Sequence, residues 1–342
     1  MNIDNMKAIG FKESKLIQDP TSLFEFEMAL PQLNEFDLLV KISAVSINPA
    51  DTKIRMRAAA DKTLEQPRVL GFDAVGVVVA VGSNATNFQV GDRVFYAGDV
   101  TRPGTNSEYH AVDSRIVALA PKRLTDAESA VLPLTSLTGW EAMFNRLKIT
   151  PDERKTLLII GGAGGVGSIS IQLAKQLTNL TIIATGSRPE SQEWIKQMGA
   201  DYVADHHNLI HSVRELGFDT VDYIFNTADT LGHWDSMVEL IAPQGMISSI
   251  VEFDGGVDLS KLQGKSVGFI WELMFTRSIY KTEDMYKQGD ILKQVANLVD
   301  SGRLVSTLTK EIYGFSADTL KEGHALVESG TMIGKVAIDF EE

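Results

Sequence analysis

The chain has 342 residues, of which 44% are hydrophobic, and its formal net charge is −13. This length predicts about two domains with proper hydrophobic cores, and the acidic balance argues against binding to nucleic acid or to an anionic membrane. The sequence contains no cysteine, which excludes disulfides, thiolate metal ligands and cysteine nucleophiles. Because the sequence has neither an apolar leader nor a stretch of about 18 to 20 apolar residues, we expect a cytoplasmic protein without membrane segments.

The part of the chain before Leu124 has the pattern of a β-rich domain. Runs rich in valine and isoleucine, bounded by glycine, asparagine or proline, predict strands within Asp37–Ile47, Gly71–Gly82 and Val90–Gly98. Two more short strands are expected within Glu108–Pro121. Short strands at close spacing favour a small barrel or an irregular sandwich.

The pattern changes near Leu124. The segment Leu124–Phe144 predicts two helical pieces, the first of which begins with a capping box formed by Thr125 and Glu128. Beyond it, predicted strands alternate with predicted helices. The alternating segments are Thr156–Gly161, Val166–Leu177, Thr181–Gly186 and Pro189–Ala200, with further strands in DYVAD, VDYIFNTAD and GMISSIVEF. This alternation predicts an α/β fold with a doubly wound parallel sheet.

A glycine-rich loop joins the first of these strands to its helix. The run Gly162-Ala163-Gly164-Gly165-Val166-Gly167 fits the G-x-G-x-x-G pattern of dinucleotide-binding loops. We assign the tight turn to Gly162, the close approach of a pyrophosphate to Gly164, and the packing of helix against strand to Gly167. Gly165 and Val166 open the helix, whose free N–H groups attract phosphate. A glycine-rich turn that binds nothing is the alternative.

The end of the second strand indicates which dinucleotide is bound. An NAD site has an acidic residue about 20 residues beyond the glycines, but no acid occurs from Thr181 through Pro189. Ser187 and Arg188 stand there instead, and a hydroxyl with a guanidinium can bind a 2′-phosphate that a carboxylate would repel. The sequence therefore predicts NADP(H), with a solvated surface arginine as the alternative.

At this point the sequence resembles the medium-chain dehydrogenases/reductases. The resemblance lies in motifs that span nearly the whole chain: VSINPADTKIR, LGFDAVGVVVAVG, VGDRVFYAG, LPLTSLTGWEAM, the glycine loop and WELMFTRSIYKTEDM. It is greatest to the quinone-oxidoreductase-like branch and its zinc-type alcohol dehydrogenase-like subgroup. It implies a Rossmann domain (residues 125–287) inserted in a GroES-like catalytic domain (residues 1–124 and 288–342), a cofactor in the cleft between them, and a homodimer joined through Rossmann edge strands.

The resemblance also supplies a test for zinc. Zinc enzymes of the family hold their catalytic metal with Cys, His and Cys, and this chain has Asn48 and Phe72 at the first two positions. The third falls within Leu132–Ser136, which contains neither Cys nor His, and the hydroxyl of the zinc enzymes' proton relay is replaced by Ala50. We therefore predict no metal and expect an NADPH-dependent, zinc-independent oxidoreductase acting on a quinone or an α,β-unsaturated carbonyl. The alternatives are a zinc-type alcohol dehydrogenase and an NADPH-binding sensor without turnover.

Two residues are candidates for catalysis. The Asn48 amide could donate a hydrogen bond to the negative oxygen that develops on the substrate; its alternative role is to cap the turn before Pro49. Tyr96 could supply a proton, or it could be a packed aromatic side chain.

Further residues are candidates for binding the cofactor. Thr138 could bond the nicotinamide carboxamide, or cap a helix. Asn226 and Thr227 follow a strand on the cofactor side of the sheet, where a ribose would lie. The resemblance implies two more contacts: His206 at a position beside the adenosine 2′-phosphate, and Lys335 near the cofactor cleft, each with a surface role as its alternative.

Overall fold

The computed structural model of the chain describes residues 5–341, and within that range it contains sixteen strands and ten α-helices. The strands are β1 (Asn5–Phe11), β2 (Phe24–Ala29), β3 (Asp37–Ser46), β4 (Arg68–Val69), β5 (Asp73–Val81), β6 (Arg93–Tyr96), β7 (Tyr109–Asp113), β8 (Val117–Leu119), β9 (Thr156–Ile160), β10 (Thr181–Thr185), β11 (Tyr202–Ala204), β12 (Val221–Asn226), β13 (Ile241–Ser249), β14 (Gly268–Trp271), β15 (Leu308–Tyr313) and β16 (Lys335–Asp339). The helices are α1 (Pro49–Arg57), α2 (Asp126–Ala130), α3 (Pro133–Trp140), α4 (Gly165–Leu177), α5 (Pro189–Gln197), α6 (Leu209–Glu215), α7 (Thr230–Leu240), α8 (Thr276–Ile279), α9 (Lys287–Asp300) and α10 (Ala317–Glu328).

These elements form two units. The first holds the residues up to Leu134 and those from Phe275 onward, and the second runs from Thr135 to Met274. Both boundaries of the second unit fall inside the range 125–287 that the sequence assigned to the Rossmann domain, because α2 and α9 pack on strands of the first unit.

The first unit is β-rich. Its larger sheet has the order β15-β16-β3-β5-β6-β8, with β7 also paired to β3. All of its pairings are antiparallel except that of β15 with β16. A second sheet has the order β2-β1-β4. Strand β16 thus brings the end of the chain beside β3, and this pairing aligns Lys335 with the segment that follows Ser46.

The second unit confirms the predicted doubly wound sheet. Its six strands are all parallel, in the order β11-β10-β9-β12-β13-β14. Strand β9 is almost entirely buried, as a strand covered by helices on both faces must be. The carboxyl ends of β9, β10 and β12 therefore lie side by side at one edge of the sheet.

Several local predictions are confirmed. The Thr125 hydroxyl accepts from the Glu128 N–H at 3.1 Å, and the Glu128 carboxylate accepts from the Thr125 N–H at 2.9 Å, which is the predicted capping box. The two helical pieces of Leu124–Phe144 are α2 and α3, and α3 continues into a π-helical turn at Glu141–Arg146.

None of the helices within residues 5–341 has both the length and the apolar character that a bilayer crossing requires.

Asp37, a buried carboxylate at the start of β3, contributes to the stability of the first unit in a way that can be measured. Asp37 is 1% exposed and forms a bidentate ion pair with Arg102, both distances being 2.8 Å. Burial acts to raise the pKa of Asp37, but the hydrogen bonds from Arg102 and Asn34 hold it below its ordinary value. A lowered pKa means that the ionised carboxylate stabilises the fold above pH 4, and that this contribution is lost as the pH falls through the folded-state value.

We expect Asp37→Asn to lower the free energy of unfolding at pH 7 by about 1.5 to 3 kcal/mol, because the charged hydrogen bonds to Arg102 are lost. The difference from the wild type should shrink below about pH 4, where the unfolded aspartate is protonated. Urea unfolding at the two pH values measures both effects. Glu239→Gln, which breaks the exposed pair with Arg214, is the control and should lower the free energy of unfolding by less. Equal losses would contradict a special stabilising role of the buried Asp37–Arg102 pair.

Candidate functional site

The glycine loop of the second unit turns sharply between β9 and α4. Gly161 has φ +87°, and its N–H donates to the Thr185 hydroxyl at 2.9 Å. The Gly162 N–H donates to the Thr185 carbonyl at 3.1 Å. The loop is therefore tied to the end of β10, and the residue that needs glycine for its backbone conformation is Gly161, which the sequence analysis did not single out.

At two other positions of the loop a side chain would collide with neighbouring atoms. A Cβ on Gly167 would lie 2.2 Å from the Gly161 carbonyl oxygen, so this glycine permits the close packing that the sequence predicted. A Cβ on Gly162 would lie 2.8 Å from the Ala184 Cβ. Gly162 therefore serves packing against β10, and the tight-turn role assigned to it belongs to Gly161. A Cβ on Gly164 would meet its nearest atom, the Gly161 carbonyl oxygen, at 3.6 Å, which is ordinary van der Waals contact, so internal packing does not require glycine at this position.

The residues predicted to contact the 2′-phosphate come from two neighbouring strands. Ser187 and Arg188 follow β10, while His206 follows β11, and these strands pair at Thr185 and Ala204. Ser187 and His206 are half-buried, whereas Arg188 is exposed. The parallel register thus brings the three positions to the same edge of the sheet.

A cluster of histidines lies beside His206. The His206 ring centroid is 4.3 Å from that of His207 and 6.2 Å from that of His233. They line a cavity of about 400 Å³, together with residues that include Asp229 and Gly232. Burial and the neighbouring His207 lower the pKa of His206, so near neutral pH this imidazole is a hydrogen-bonding group without charge. Nothing in the sequence groups His233 with His206, because the two residues are distant along the chain.

Asn226 and Thr227, predicted near the cofactor ribose, make internal hydrogen bonds. The Asn226 amide is buried and donates to the hydroxyls of Thr230 and Ser249 at 3.0 and 3.1 Å. The Thr227 hydroxyl donates to the Ile160 carbonyl at 2.8 Å. These hydrogen bonds stabilise the ends of the strands around the glycine loop. Thr138, the candidate for the carboxamide, is buried within α3.

The centre of the candidate site in the first unit is the Asp73 carboxylate. Oxygen Oδ2 accepts from the Ser46 hydroxyl at 2.6 Å and from Asn48 Nδ2 at 2.9 Å. Oxygen Oδ1 accepts from the Leu134 N–H at 2.7 Å. The Lys335 ammonium lies 3.6 Å from Oδ2 and donates to Asn48 Oδ1 at 2.5 Å. These side chains are all buried, and only Asn48 and Lys335 among them were predicted from the sequence as residues of the site.

A second carboxylate stands beside this network. Asp51 is buried in the first turn of α1, where it accepts from the N–H groups of Asn48 and Gly71 at 2.8 and 2.9 Å. Burial raises its pKa to about 7, although these hydrogen bonds act against the shift. Burial also lowers the pKa of Lys335, while Asp73 and Asp51 oppose that change. We call the five side chains of Ser46, Asn48, Asp51, Asp73 and Lys335 the Asp73 network.

Tyr96 lies in the core of the first unit. Its hydroxyl is 3.0 Å from His110 Nδ1, and His110 Nε2 is 3.0 Å from the Pro103 carbonyl. Burial lowers the pKa of His110 to about 4, so the ring is neutral. Nε2 must then carry the hydrogen that goes to Pro103, and Nδ1 accepts the hydrogen of the phenol. The proton-donor role of Tyr96 stays a prediction, and its hydrogen has an internal acceptor.

Two known domain families match the sequence of this chain. Residues 34–122 match the alcohol dehydrogenase GroES-like domain, and residues 198–338 match the zinc-binding dehydrogenase domain. A GroES-like fold combined with a parallel dinucleotide-type sheet defines the class of medium-chain dehydrogenases/reductases, which are oxidoreductases.

Similar proteins of known sequence identify the group within this class to which the chain belongs. A zinc-type alcohol dehydrogenase-like protein of Staphylococcus aureus is 42% identical over 339 residues, which cover 98% of this chain and 100% of that protein. The 2-methylene-furan-3-one reductase of Solanum lycopersicum is 31% identical, with 92% and 74% covered. A crystal structure from Rhizobium etli CFN 42, described as a candidate zinc-dependent alcohol dehydrogenase, is 47% identical with a TM-score of 0.93 and covers 98% of each chain. The chain therefore belongs to the zinc-type alcohol dehydrogenase-like proteins of the medium-chain superfamily.

The residues of this chain do not fit the zinc that the family name implies. Asn48 offers an amide that is already bonded to Lys335 and Asp73. Phe72 offers a phenyl ring packed at 4.9 Å from that of Phe275. Within residues 5–341, no group of three His, Cys, Asp or Glu side chains gathers as a metal site. Catalytic zinc needs three nitrogen, sulfur or carboxylate ligands around an open position, and this donor set does not supply them.

We expect Tyr96→Phe to lower the free energy of unfolding by about 1 to 3 kcal/mol, because it leaves buried His110 Nδ1 without a donor. Chemical denaturation measures the change, and Tyr280→Phe, at an exposed tyrosine, is the control. Normal stability together with a loss of turnover would instead identify Tyr96 as the proton donor.

Proposed function

We propose that the protein is an NADPH-dependent, zinc-independent reductase of quinones or α,β-unsaturated carbonyl compounds. The observation that carries this proposal is the Asp73 network, because one of its members, Asn48, is a hydrogen-bond donor at the position where the zinc enzymes of the family have their first metal ligand. Such donors can stabilise an oxyanion, whereas oxidation of a simple alcohol needs a Lewis acid and a proton relay. The reductase name of the tomato relative supports the same reaction class.

The cofactor assignment is supported by the second unit. Gly164 is the N-cap of α4 and has no side chain to keep a pyrophosphate away from the backbone, and the first N–H groups of the helix can donate to phosphate oxygens. Ser187, Arg188 and His206 then bind the 2′-phosphate, since the end of β10 lacks the acidic residue of an NAD site that would repel it. Thr138, Asn226 and Thr227 remain proposed cofactor contacts, although the internal hydrogen bonds of Asn226 and Thr227 favour a supporting role. The predicted cofactor contact of Lys335 is less favoured, because its ammonium is buried and donates to Asn48 and the Ile47 carbonyl.

The bound cofactor supplies a hydride. In an enone, the β-carbon accepts the hydride, the double-bond electrons move toward the carbonyl oxygen, and the resulting enolate is protonated at the α-carbon by water. The Asn48 amide donates to the oxygen as its negative charge develops. Because this interaction is stronger in the transition state than in the ground state, it accelerates the reaction.

We also propose a cytoplasmic homodimer that is joined through β14. This strand forms one edge of the six-stranded sheet, and Trp271 at its end is 47% exposed. An edge strand has unpaired N–H and C=O groups that a second copy can satisfy.

The test of the proposed function is NADPH consumption under anaerobic conditions, with an aromatic ortho-quinone and a medium-chain enal compared against a blank without enzyme. We expect enzyme-dependent oxidation with at least one acceptor, and the preferred acceptor identifies the substrate class. No oxidation with either acceptor, by protein that binds NADPH, would contradict the proposal and favour a sensor.

Cofactor preference gives a separate prediction. We expect Arg188→Ala to raise the Kd for NADPH by about 10-fold or more, because a charged hydrogen bond to the 2′-phosphate is lost, and to leave the Kd for NADH nearly unchanged. Fluorescence titration measures both constants. Arg214→Ala, at an exposed arginine of the same unit, is the control. Equal effects on the two cofactors would contradict a 2′-phosphate contact.

A further inference from the structure

We propose that Lys335 is a positioning residue, which acts through Asn48 by fixing the orientation of its amide and making it a stronger donor toward the substrate oxygen. This inference rests on the proposed function and deepens it. It assigns Lys335 a role different from the cofactor contact that the resemblance implies.

The chemistry of its neighbours sets the orientation of the Asn48 amide. The Lys335 ammonium has only donors, so it must face Oδ1, while the Asp73 carboxylate has only acceptors, so it must face Nδ2. The observed distances of 2.5 and 2.9 Å agree with this arrangement. A flipped amide would direct Nδ2 toward the ammonium and Oδ1 toward the carboxylate, and both contacts would be repulsive.

This orientation leaves one hydrogen available. The amide nitrogen carries two hydrogens, and among the described residues its one acceptor is Asp73 Oδ2. The second N–H is therefore the group that can donate to a carbonyl oxygen. Because Asn48 is 1% exposed, the amide is held away from bulk water, and a hydrogen bond in such surroundings is stronger than in water.

The charge of Lys335 makes this donor stronger. A cation on the amide oxygen draws electron density away from the amide nitrogen, and linked hydrogen bonds polarise one another in this way. Lys335 also offsets the negative charge of Asp73, which would otherwise oppose an oxyanion at Asn48. The ammonium is itself held by the Ile47 carbonyl at 3.0 Å, so its position is fixed from the backbone.

The test is a double-mutant cycle with Lys335→Met and Asn48→Ala, assayed at saturating NADPH. We expect each single variant to lower kcat by about 10- to 100-fold. This loss is no larger than the smallest losses seen when an oxyanion-hole donor is removed, which are about 100-fold. In the Asn48→Ala background, Lys335→Met should lower kcat by less than about 3-fold, since a residue that acts through Asn48 has nothing left to position. Lys310→Met, at a half-exposed lysine on the neighbouring strand β15, is the control.

Three results would overturn the inference. Effects that multiply in the double variant would mean that Lys335 acts independently of Asn48. An unchanged kcat with a raised Kd for NADPH would mean that Lys335 contacts the cofactor directly. An unchanged kcat and Kd would mean that it has neither role. If Lys335→Met does not fold, as thermal unfolding would reveal, the cycle is repeated with Lys335→Gln, whose amide keeps a donor without charge and should retain part of the activity.

A readout without turnover separates this inference from the proposed function. The NMR signal of the Asn48 side-chain amide can be assigned in ¹⁵N-labelled protein, because it is absent from the spectrum of Asn48→Ala. We expect the chemical shift of this signal to change in Lys335→Met and to stay the same in Lys310→Met. If this chemical shift changes but the protein reduces neither quinone nor enal, the coupling between Lys335 and Asn48 is supported and the proposed function fails. An unshifted amide would overturn the inference whatever the activity.

Discussion

The carboxylate of Asp73 joins parts of the chain that are far apart in sequence. It accepts hydrogen bonds from Ser46 at the end of β3, from Asn48 before α1 and from the backbone of Leu134 at the start of α3. Lys335, from the last strand, adds the positive charge. A buried carboxylate is costly unless it is paired and hydrogen-bonded, and here every partner comes from a different element. The geometry of the candidate site in the first unit depends on this one group.

The second unit could be predicted closely from the sequence, because its signals are local. The glycine run, the apolar strand before it and the amphipathic helix after it are contiguous, and the structure confirms β9, α4 and β10 where they were expected. The exception is the residue at the tight turn. Gly161 rather than Gly162 has the positive φ, and the pattern could not distinguish two adjacent glycines whose roles depend on contacts with Ala184 and Thr227.

The first unit was predicted less completely, because its decisive contacts are long-range and polar. Helix α1 was missed since it buries Asp51, Thr52 and Arg55 and has no apolar stripe. Asn48 was identified as a candidate donor, but nothing local to it reveals that Lys335, near the other end of the chain, holds its amide. The pairing of Tyr96 with His110 was hidden for the same reason. Strand pairing brings these residues together, and composition and periodicity do not encode it.

The central claim is that a hydrogen-bond network, with no metal ion, stabilises the developing oxyanion. The most direct test is the zinc content of a fully active preparation, measured by elemental analysis before and after prolonged dialysis against a strong chelator, with kcat determined on the same samples. We expect kcat to be unchanged by chelation and the zinc content to be far below one ion per chain. Stoichiometric zinc, with activity lost on chelation and restored by added zinc, would contradict it.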